Sequence, residues 1–299
     1  MAPVRYLAPY VVILAFQYVF AKNALEYATP AAVGLMFCAL SFAILFPITR
    51  GRVILTRQML TFSFIFWASG ACWLFGLNYI SSAQSAVLSF TMPLFAIPLS
   101  VYMLGERSSH LEVYGGLVGF VGVTLFNLPL LNGGFETLGA ALALGDALLW
   151  AVFTVYMKRL SSQDSLQTMA TAFLFCVPLW AVLAFADFGF RPSFALGFDV
   201  AYLSLLASIV ALYLWAALLK LEKVTKLTVI IFLIPVITLA YGVVTSGVVP
   251  SYLTLAGVAL IFVGIYASNI LGHRGEEPAV GPAGGGPRAQ DSASDQHPS

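Results

Sequence analysis

The helix-breaking residues of this chain recur at a fixed spacing of 142 positions. The segment Phe90-Thr91-Met92-Pro93 matches residues 232–235, which read Phe, Leu, Ile and Pro. The two halves of the chain are therefore built on one plan. The same shift superimposes three glycines of the first half on three of the second: Gly105 on Gly247, Gly115 on Gly257 and Gly122 on Gly264.

The composition indicates that the solvent of this chain is mostly lipid. Of its 299 residues 60% are hydrophobic and 9% are charged, with a mean hydropathy of +0.93, whereas about a quarter of a soluble globule is charged. The three cysteines, Cys38, Cys72 and Cys176, lie far apart in apolar segments and do not suggest a disulfide framework. No metal-ligand spacing occurs, so we expect no metal and no cofactor.

Ten segments are long and apolar enough to cross a bilayer, which takes roughly 20 residues. The first resembles a signal peptide, but nine further spans follow it, so we interpret it as an uncleaved span. Two similar halves with an odd number of spans must be oppositely oriented, as in many secondary transporters. We predict an all-α integral membrane fold of ten transmembrane helices in two inverted five-helix repeats, residues 1–130 and 138–271, with a disordered cytoplasmic tail at 272–299. The predicted spans are 4–22, 31–49, 59–79, 83–104, 110–130, 138–157, 166–186, 198–219, 226–247 and 251–271.

The basic residues predict the orientation of the chain. With the N-terminus in the cytoplasm, all of the 14 Lys and Arg residues except Lys22 and Arg191 fall on the cytoplasmic side. By the positive-inside rule both termini are cytoplasmic, in the inner or plasma membrane. The partners expected are the lipid bilayer and a small-molecule substrate; the distribution of charge gives no reason to expect a nucleic acid.

Four features resemble the drug/metabolite transporter superfamily, in particular its EamA-type members. They are the small-residue turn 76–86 into the fourth span, Pro93-Leu94 within it, the exit Gly105-Glu106-Arg107, and the glycine-rich segment 114–122. The resemblance covers about residues 4–271. It implies that the first, third, fourth, sixth, eighth and ninth spans line a central cavity, with the fifth and tenth at the periphery. The second half departs from the pattern, because Gly247-Val248 stands where the first has Gly105-Glu106.

Asp146 is the candidate functional residue that stands out most clearly. It lies well inside the sixth span, where a carboxylate costs about 2.5–3.5 kcal/mol on insertion scales, so we expect it to face a cavity or the protein interior. Trp150 and Thr154 follow on the same helical face. Asp146 is suited to a proton or cation site, and hence to proton coupling, or to binding a substrate amine. The alternative is an inward carboxylate that is simply hydrogen-bonded.

Other polar and aromatic side chains form stripes on the predicted spans. We list as substrate-binding candidates Gln17, Trp67, Asn78, Gln84, Asp146, Trp150 and Trp215. Trp67 with the small Gly70 suggests a pocket for an apolar or aromatic group, whereas Trp73 is expected to face lipid. Simple helix packing is the alternative for all of these stripes.

Pro93 and Pro235 occupy matching positions and are candidates for a gate or hinge, since a proline inside a helix frees a carbonyl and bends the axis. Gly115, Gly119 and Gly122 form a small-residue face suited to close helix contact, and also to a homodimer. Glu106 is expected to cap a helix or to pair with other loop charges.

These observations favour a transporter that moves a small organic metabolite by alternating access. An amino acid or a related amphipathic solute suits the apolar lining, and the resemblance suggests export. The alternatives are a transporter for another class of solute, such as drugs or nucleosides, and a membrane scaffold or sensor that transports nothing. A membrane-embedded enzyme is disfavoured, because the scattered histidines and the deep acid supply no catalytic constellation.

Overall fold

The computed structural model of this protein describes residues 2–128, 136–234, 236–237 and 249–268. These residues form helices joined by short loops, and an isolated bridge between Ala28 and Phe190 is the β pairing found among them. The all-α prediction is therefore confirmed. The predicted tail, 272–299, lies outside the described residues.

The described residues of the first half form six helices. The fourth predicted span is divided between α4 and α5, which meet at Phe90 and Thr91. The bounds are α1 Ala2–Tyr27, α2 Pro30–Ile48, α3 Arg57–Tyr79, α4 Ser82–Ser89, α5 Met92–Leu104 and α6 His110–Asn127.

The second half contributes five more described helices. The eighth predicted span is one long helix whose middle, Tyr202–Val210, is π-helical. The bounds are α7 Thr137–Arg159, α8 Ser165–Ala186, α9 Phe194–Leu221, α10 Val224–Ile230 and α11 Tyr252–Tyr266.

Hydroxyl and carboxylate caps fix where many of these helices begin. Ser81 and Ser109 each accept from the backbone N–H three residues ahead, while Gln84 and Glu112 bond back to the backbone N–H of the cap. Such capping boxes satisfy two backbone donors that a helix start leaves free. The turn into α4 is thus specified by local sequence.

Six described helices are long and apolar enough to cross a membrane: α1 from Arg5, α2, α3, α7, α8 and α9. The helices Met92–Leu104, His110–Phe126 and Tyr252–Tyr266 are apolar but shorter. Much of the ninth predicted span, 238–247, lies outside the described residues. The count of ten spans remains a prediction.

The helices pair across the two halves in a symmetric way. α2 packs against α8, α5 against α10 and α6 against α11, while α3 packs on α7 and α1 packs on α9. α3 and α7 are the third and sixth predicted spans. Their counterparts in the other half are the eighth and first spans, which are α9 and α1. The pattern of helix pairs is therefore the same when the two halves are exchanged.

The α6–α11 pair is antiparallel and held at close range by glycines. A Cβ added at Gly115 would lie 2.6 Å from the carbonyl oxygen of Gly264, and one at Gly122 would lie 2.8 Å from that of Gly257. Such backbone approach requires residues without side chains. The prediction of close helix contact is confirmed. Because this face is covered by the chain's own helix, the predicted homodimer requires another surface.

Candidate functional site

A chamber with a cavity volume of about 100 Å³ lies between the two halves. Its described wall comes from α1, α3, the α4–α5 junction, α7 and the segment after α10. These belong to five of the six spans that the resemblance implies, and the eighth span, α9, contributes no described lining residue to this chamber. The described lining residues are Tyr10, Leu14, Gln17, Tyr18, Ser69, Gly70, Trp73, Ser89, Phe90, Met92, Pro93, Asp146, Ala147, Trp150, Ile231 and Ile234.

Asp146 is the charged group of this chamber. Its side chain is 7% exposed. Ser69 Oγ on α3 donates to Asp146 Oδ1 at 2.6 Å, and Ser89 Oγ at the end of α4 donates to Oδ2 at 3.2 Å. A carboxylate offers about four acceptor positions, so these two hydroxyls leave room for a further donor from the chamber.

A second chamber with a cavity volume of about 50 Å³ adjoins the first, and four residues line both: Gln17, Gly70, Trp73 and Trp150. It also involves α2 and α8, which the resemblance does not include. The π-helical part of α9 contributes to its wall, and π-helical segments are frequent at functional sites. The other lining residues are Phe37, Cys38, Phe66, Trp67, Cys176, Trp180, Leu203, Ala207, Ser208 and Leu212.

Aromatic rings dominate both chambers. Tyr18 packs edge-on against Trp73 with ring centroids 5.8 Å apart, and Trp67 packs edge-on against Trp180 at 6.4 Å. Trp73 is 7% exposed. The prediction that Trp73 faces lipid is therefore wrong, because the packing of α3 against α1 and α7 turns its ring inward.

The described walls of the two chambers contain a negative charge without a matching positive charge. Among their described lining residues, none is Lys, Arg or His, and Asp146 is the sole carboxylate. Burying a charge without a counter-charge is costly. The arrangement therefore favours a proton or a cationic group at this position.

Of the predicted substrate-binding residues, Gln17, Asp146 and Trp150 line the first chamber and Trp67 lines the second. Their roles stay predictions, although the structure brings them together. Pro93 also lines the first chamber, while Pro235 lies outside the described residues.

Three other candidates are not part of the described chamber wall. Asn78 is exposed near the end of α3, and the Gln84 amide oxygen accepts from the N–H of Ser81. Trp215 is fully buried behind the wall, where it stacks on Tyr10 with centroids 5.0 Å apart. It therefore supports a chamber residue from behind in this conformation.

The sequence reasoning missed Ser69 and Ser89, the two hydroxyl partners of Asp146, and also missed Tyr10 and Trp180. Hydroxyl residues within apolar segments were a usable signal, since a buried carboxylate needs donors. Nothing in the spacing along the chain indicates which hydroxyls meet Asp146, because Ser69 and Ser89 are 77 and 57 residues away from it.

The helix break at the α4–α5 junction contacts its counterpart in the second half. Phe90 and Phe232, which the 142-residue shift superimposes, pack edge-on with centroids 6.4 Å apart. The chain also interrupts its helix at Ile231 and Phe232. Two matching breaks thus meet beside the first chamber.

A polar network joins the two halves on the face that the sequence predicts to be cytoplasmic. Glu106 Oε1 pairs with Lys158 Nζ at 2.9 Å, and both Glu106 oxygens accept from the N–H of Val224 at 3.3 and 3.0 Å. Ser108 and Thr225 share a hydrogen bond of 2.9 Å. The expectation that Glu106 caps a helix and pairs with other charges is confirmed.

Comparison with known proteins identifies related sequences and a related fold. A model of the EamA-like transporter family matches residues 6–128 and 137–270. A protein of Acidianus ambivalens named "Uncharacterized transporter in sor 3'region" is 35% identical over 240 residues, covering 79% of this chain and 94% of that protein.

A "Probable amino-acid metabolite efflux pump" of Salmonella typhimurium is 26% identical over 283 residues, covering 88% of this chain and 93% of that protein. A solved crystal structure shares the fold with a TM-score of 0.79 and 20% identity. It covers 92% of this chain and 99% of that one.

Proposed function

Because this chain belongs to the EamA-like transporter family, we propose that it exports a small amphipathic organic metabolite by alternating access. It is a multi-pass membrane protein and a transporter. The finer assignment is a solute of the amino-acid type or a related amine, bound in the first chamber. No catalytic role is assigned to any residue.

The observation that carries this proposal is the position of Asp146. Its carboxylate lies between two serine hydroxyls in a chamber built from both halves, which is where secondary transporters bind their substrates. Aromatic walls suit the apolar body of a solute, and a few polar groups suffice to orient it. A scaffold has no need for such a chamber.

Alternating access is supported by the symmetry of the helix pairs and of the breaks at Phe90 and Phe232. Two similar halves can expose a central site to either side by rocking against one another. Contacts such as Glu106–Lys158 must open for access from the predicted cytoplasmic face. Export is supported by the Salmonella relative, which is named an efflux pump.

The test is flux in proteoliposomes that contain the purified protein. We expect saturable counterflow for at least one radiolabelled compound from a panel of amino acids, amines, nucleosides and sugars, with empty liposomes as the control. Saturable flux of a nucleoside or sugar alone would replace the proposed substrate class. Absence of flux for every compound, from protein that keeps a cooperative unfolding transition, would favour a scaffold or sensor.

A further inference from the structure

The first chamber has a site for positive charge and none for negative charge among its described lining residues. Asp146 holds only two hydroxyl donors, and no lysine, arginine or histidine lines the wall. A solute carboxylate would lie near the Asp146 carboxylate in a poorly solvated space, where like charges repel strongly. A solute ammonium would gain a charge-assisted hydrogen bond there.

At the helix breaks, several of the backbone N–H groups that could bind an anion are already hydrogen-bonded within the chain. A free helix start can bind a carboxylate through its N–H groups. At the α4–α5 junction Pro93 has no N–H, and the N–H groups of Thr91 and Leu94 already bond to Leu88 and Thr91 carbonyls. The matching break is similarly occupied, since the N–H of Phe232 bonds to Val229 and that of Ile234 to Ile231.

The walls suit a cation with an aromatic or apolar body. Tyr18, Trp73 and Trp150 line the same chamber as Asp146, and aromatic rings attract cations that have lost their water. The Tyr10 hydroxyl and the Trp73 indole N–H are buried without a hydrogen-bond partner among the described residues. Both can donate to a neutral carbonyl of a bound solute.

We propose that the chamber selects organic amines that lack a free carboxylate, such as aromatic amines and amino-acid amides, with the solute ammonium on Asp146 between Ser69 and Ser89. This selectivity rests on the proposed transport function and narrows it. The parent zwitterionic amino acids are then the weaker ligands, because their carboxylate finds no counter-charge.

A matched set of four probes tests this selectivity by binding, separately from transport. The set is phenethylamine, L-phenylalaninamide, L-phenylalanine and 3-phenylpropionate, which share one ring and differ in charge. Binding to the detergent-purified chain is measured by tryptophan fluorescence and by the shift in melting temperature, which rises when a ligand binds the folded state. We expect the amine and the amide to bind at least about tenfold more tightly than the amino acid, and the anion to bind least.

Variants of the carboxylate assign the selectivity to Asp146. Asp146→Asn is expected to weaken binding of the amide by about 10- to 100-fold and to leave 3-phenylpropionate no weaker than before. Asp146→Glu keeps the charge and should retain the preference for amines. Asp199→Asn is the matched control, since Asp199 is a buried carboxylate on α9 that lines neither chamber; it should bind the amide as the wild type does.

Three results would overturn the proposal. One is tighter binding of the amino acid or the anion than of the amine, which leaves the transport function standing. Another is an equal loss of all four probes in Asp146→Asn, which assigns the carboxylate to a proton rather than to the solute. The third is binding of none of the probes by folded protein, in which case the flux panel alone decides the transport function.

Discussion

Gly34 on α2 has no side chain because the indole of Trp180 occupies that space. A Cβ at this position would lie 2.5 Å from three atoms of the Trp180 ring, a separation at which something must move. Trp180 on α8 is 1% exposed and lines the second chamber. The absence of a side chain at Gly34 thus sets the distance between α2 and α8, and with it the shape of a chamber wall.

Gly34→Ala is expected to destabilise the protein by about 1–3 kcal/mol, the usual cost of forcing extra volume into a packed interior. The measurement is the midpoint of thermal unfolding in detergent. Gly197→Ala is the control, because a Cβ there meets nothing within 4 Å and alanine favours a helix. Equal midpoints for wild type and Gly34→Ala would contradict the tight packing of Trp180.

The sequence was enough to identify Asp146 as a candidate functional residue, but it did not predict which residues surround it. A carboxylate inside an apolar span is conspicuous, because lipid tolerates it only when it faces inward. Its partners Ser69 and Ser89 are ordinary residues until α3 and α4 are packed on α7. The wrong prediction for Trp73 has the same origin, since only the packing of α3 on α1 and α7 shows that its ring points inward.

Pro93 keeps α4 and α5 from forming one continuous helix. It occupies the first turn of α5, where its missing N–H costs little, and it leaves the break at Phe90 and Thr91 in the chamber wall. Proline at this position prevents the N–H bond that would join the two helices into one.

We predict that the break acts as a hinge whose rearrangement contributes to turnover more than to binding. Pro93→Ala is then expected to slow transport several-fold while substrate affinity changes little. Initial rates and the ligand-induced melting shift separate the two effects. Pro98→Ala is the control, since Pro98 is exposed on α5 and lines neither chamber. Unchanged rates in Pro93→Ala would exclude the break as a hinge.

The Glu106 contact is also a property of elements, because one carboxylate holds the start of α10 and the end of α7. Glu106→Gln retains an acceptor for Val224 but loses the ion pair with Lys158. We expect a destabilisation of about 1–3 kcal/mol, measured by thermal unfolding. Glu222→Gln is the control, because Glu222 pairs with Lys226 one turn away along the chain, and such pairs contribute about 0.2–0.5 kcal/mol.

Loss of this contact should also open the chamber to the predicted cytoplasmic face. Cys38 and Cys176 line the second chamber and are buried, so their reaction with a charged, membrane-impermeant thiol reagent reports access. In inside-out vesicles, Glu106→Gln should label faster than Glu222→Gln. Equal labelling rates would show that the contact stabilises the fold without closing this face.

Across the whole molecule, the contacts between loops agree with the sides of the membrane that the distribution of Lys and Arg predicts for them. Glu106, Lys158 and Val224 meet on one side of the molecule. The two basic residues that the positive-inside rule leaves outside lie elsewhere. Lys22 binds the carbonyls of Leu77 and Ile80 at the end of α3, and the backbone N–H of Arg191 donates to the Tyr27 carbonyl at the end of α1.

We therefore predict that both termini are cytoplasmic. A fluorescent-protein fusion at the C-terminus should fluoresce, since such fusions fold in the cytoplasm. Alkaline phosphatase fused there should be inactive, and the same enzyme inserted after Arg191 should be active. The reverse pattern would invert the orientation and with it the assignment of the Glu106 face.

Hydropathy and helix-breaking residues alone indicate an all-α membrane protein whose halves share one plan, because both are local properties that lipid selects directly. The sequence also indicated that the glycine face of α6 makes a close helix contact, but only the structure shows that α11 is the partner. The sequence does not indicate which face of most helices points into the protein, because a helix surrounded by lipid is apolar on all sides and carries no amphipathic signal. Only close packing decided which rings and hydroxyls surround Asp146, and that a second chamber adjoins the first.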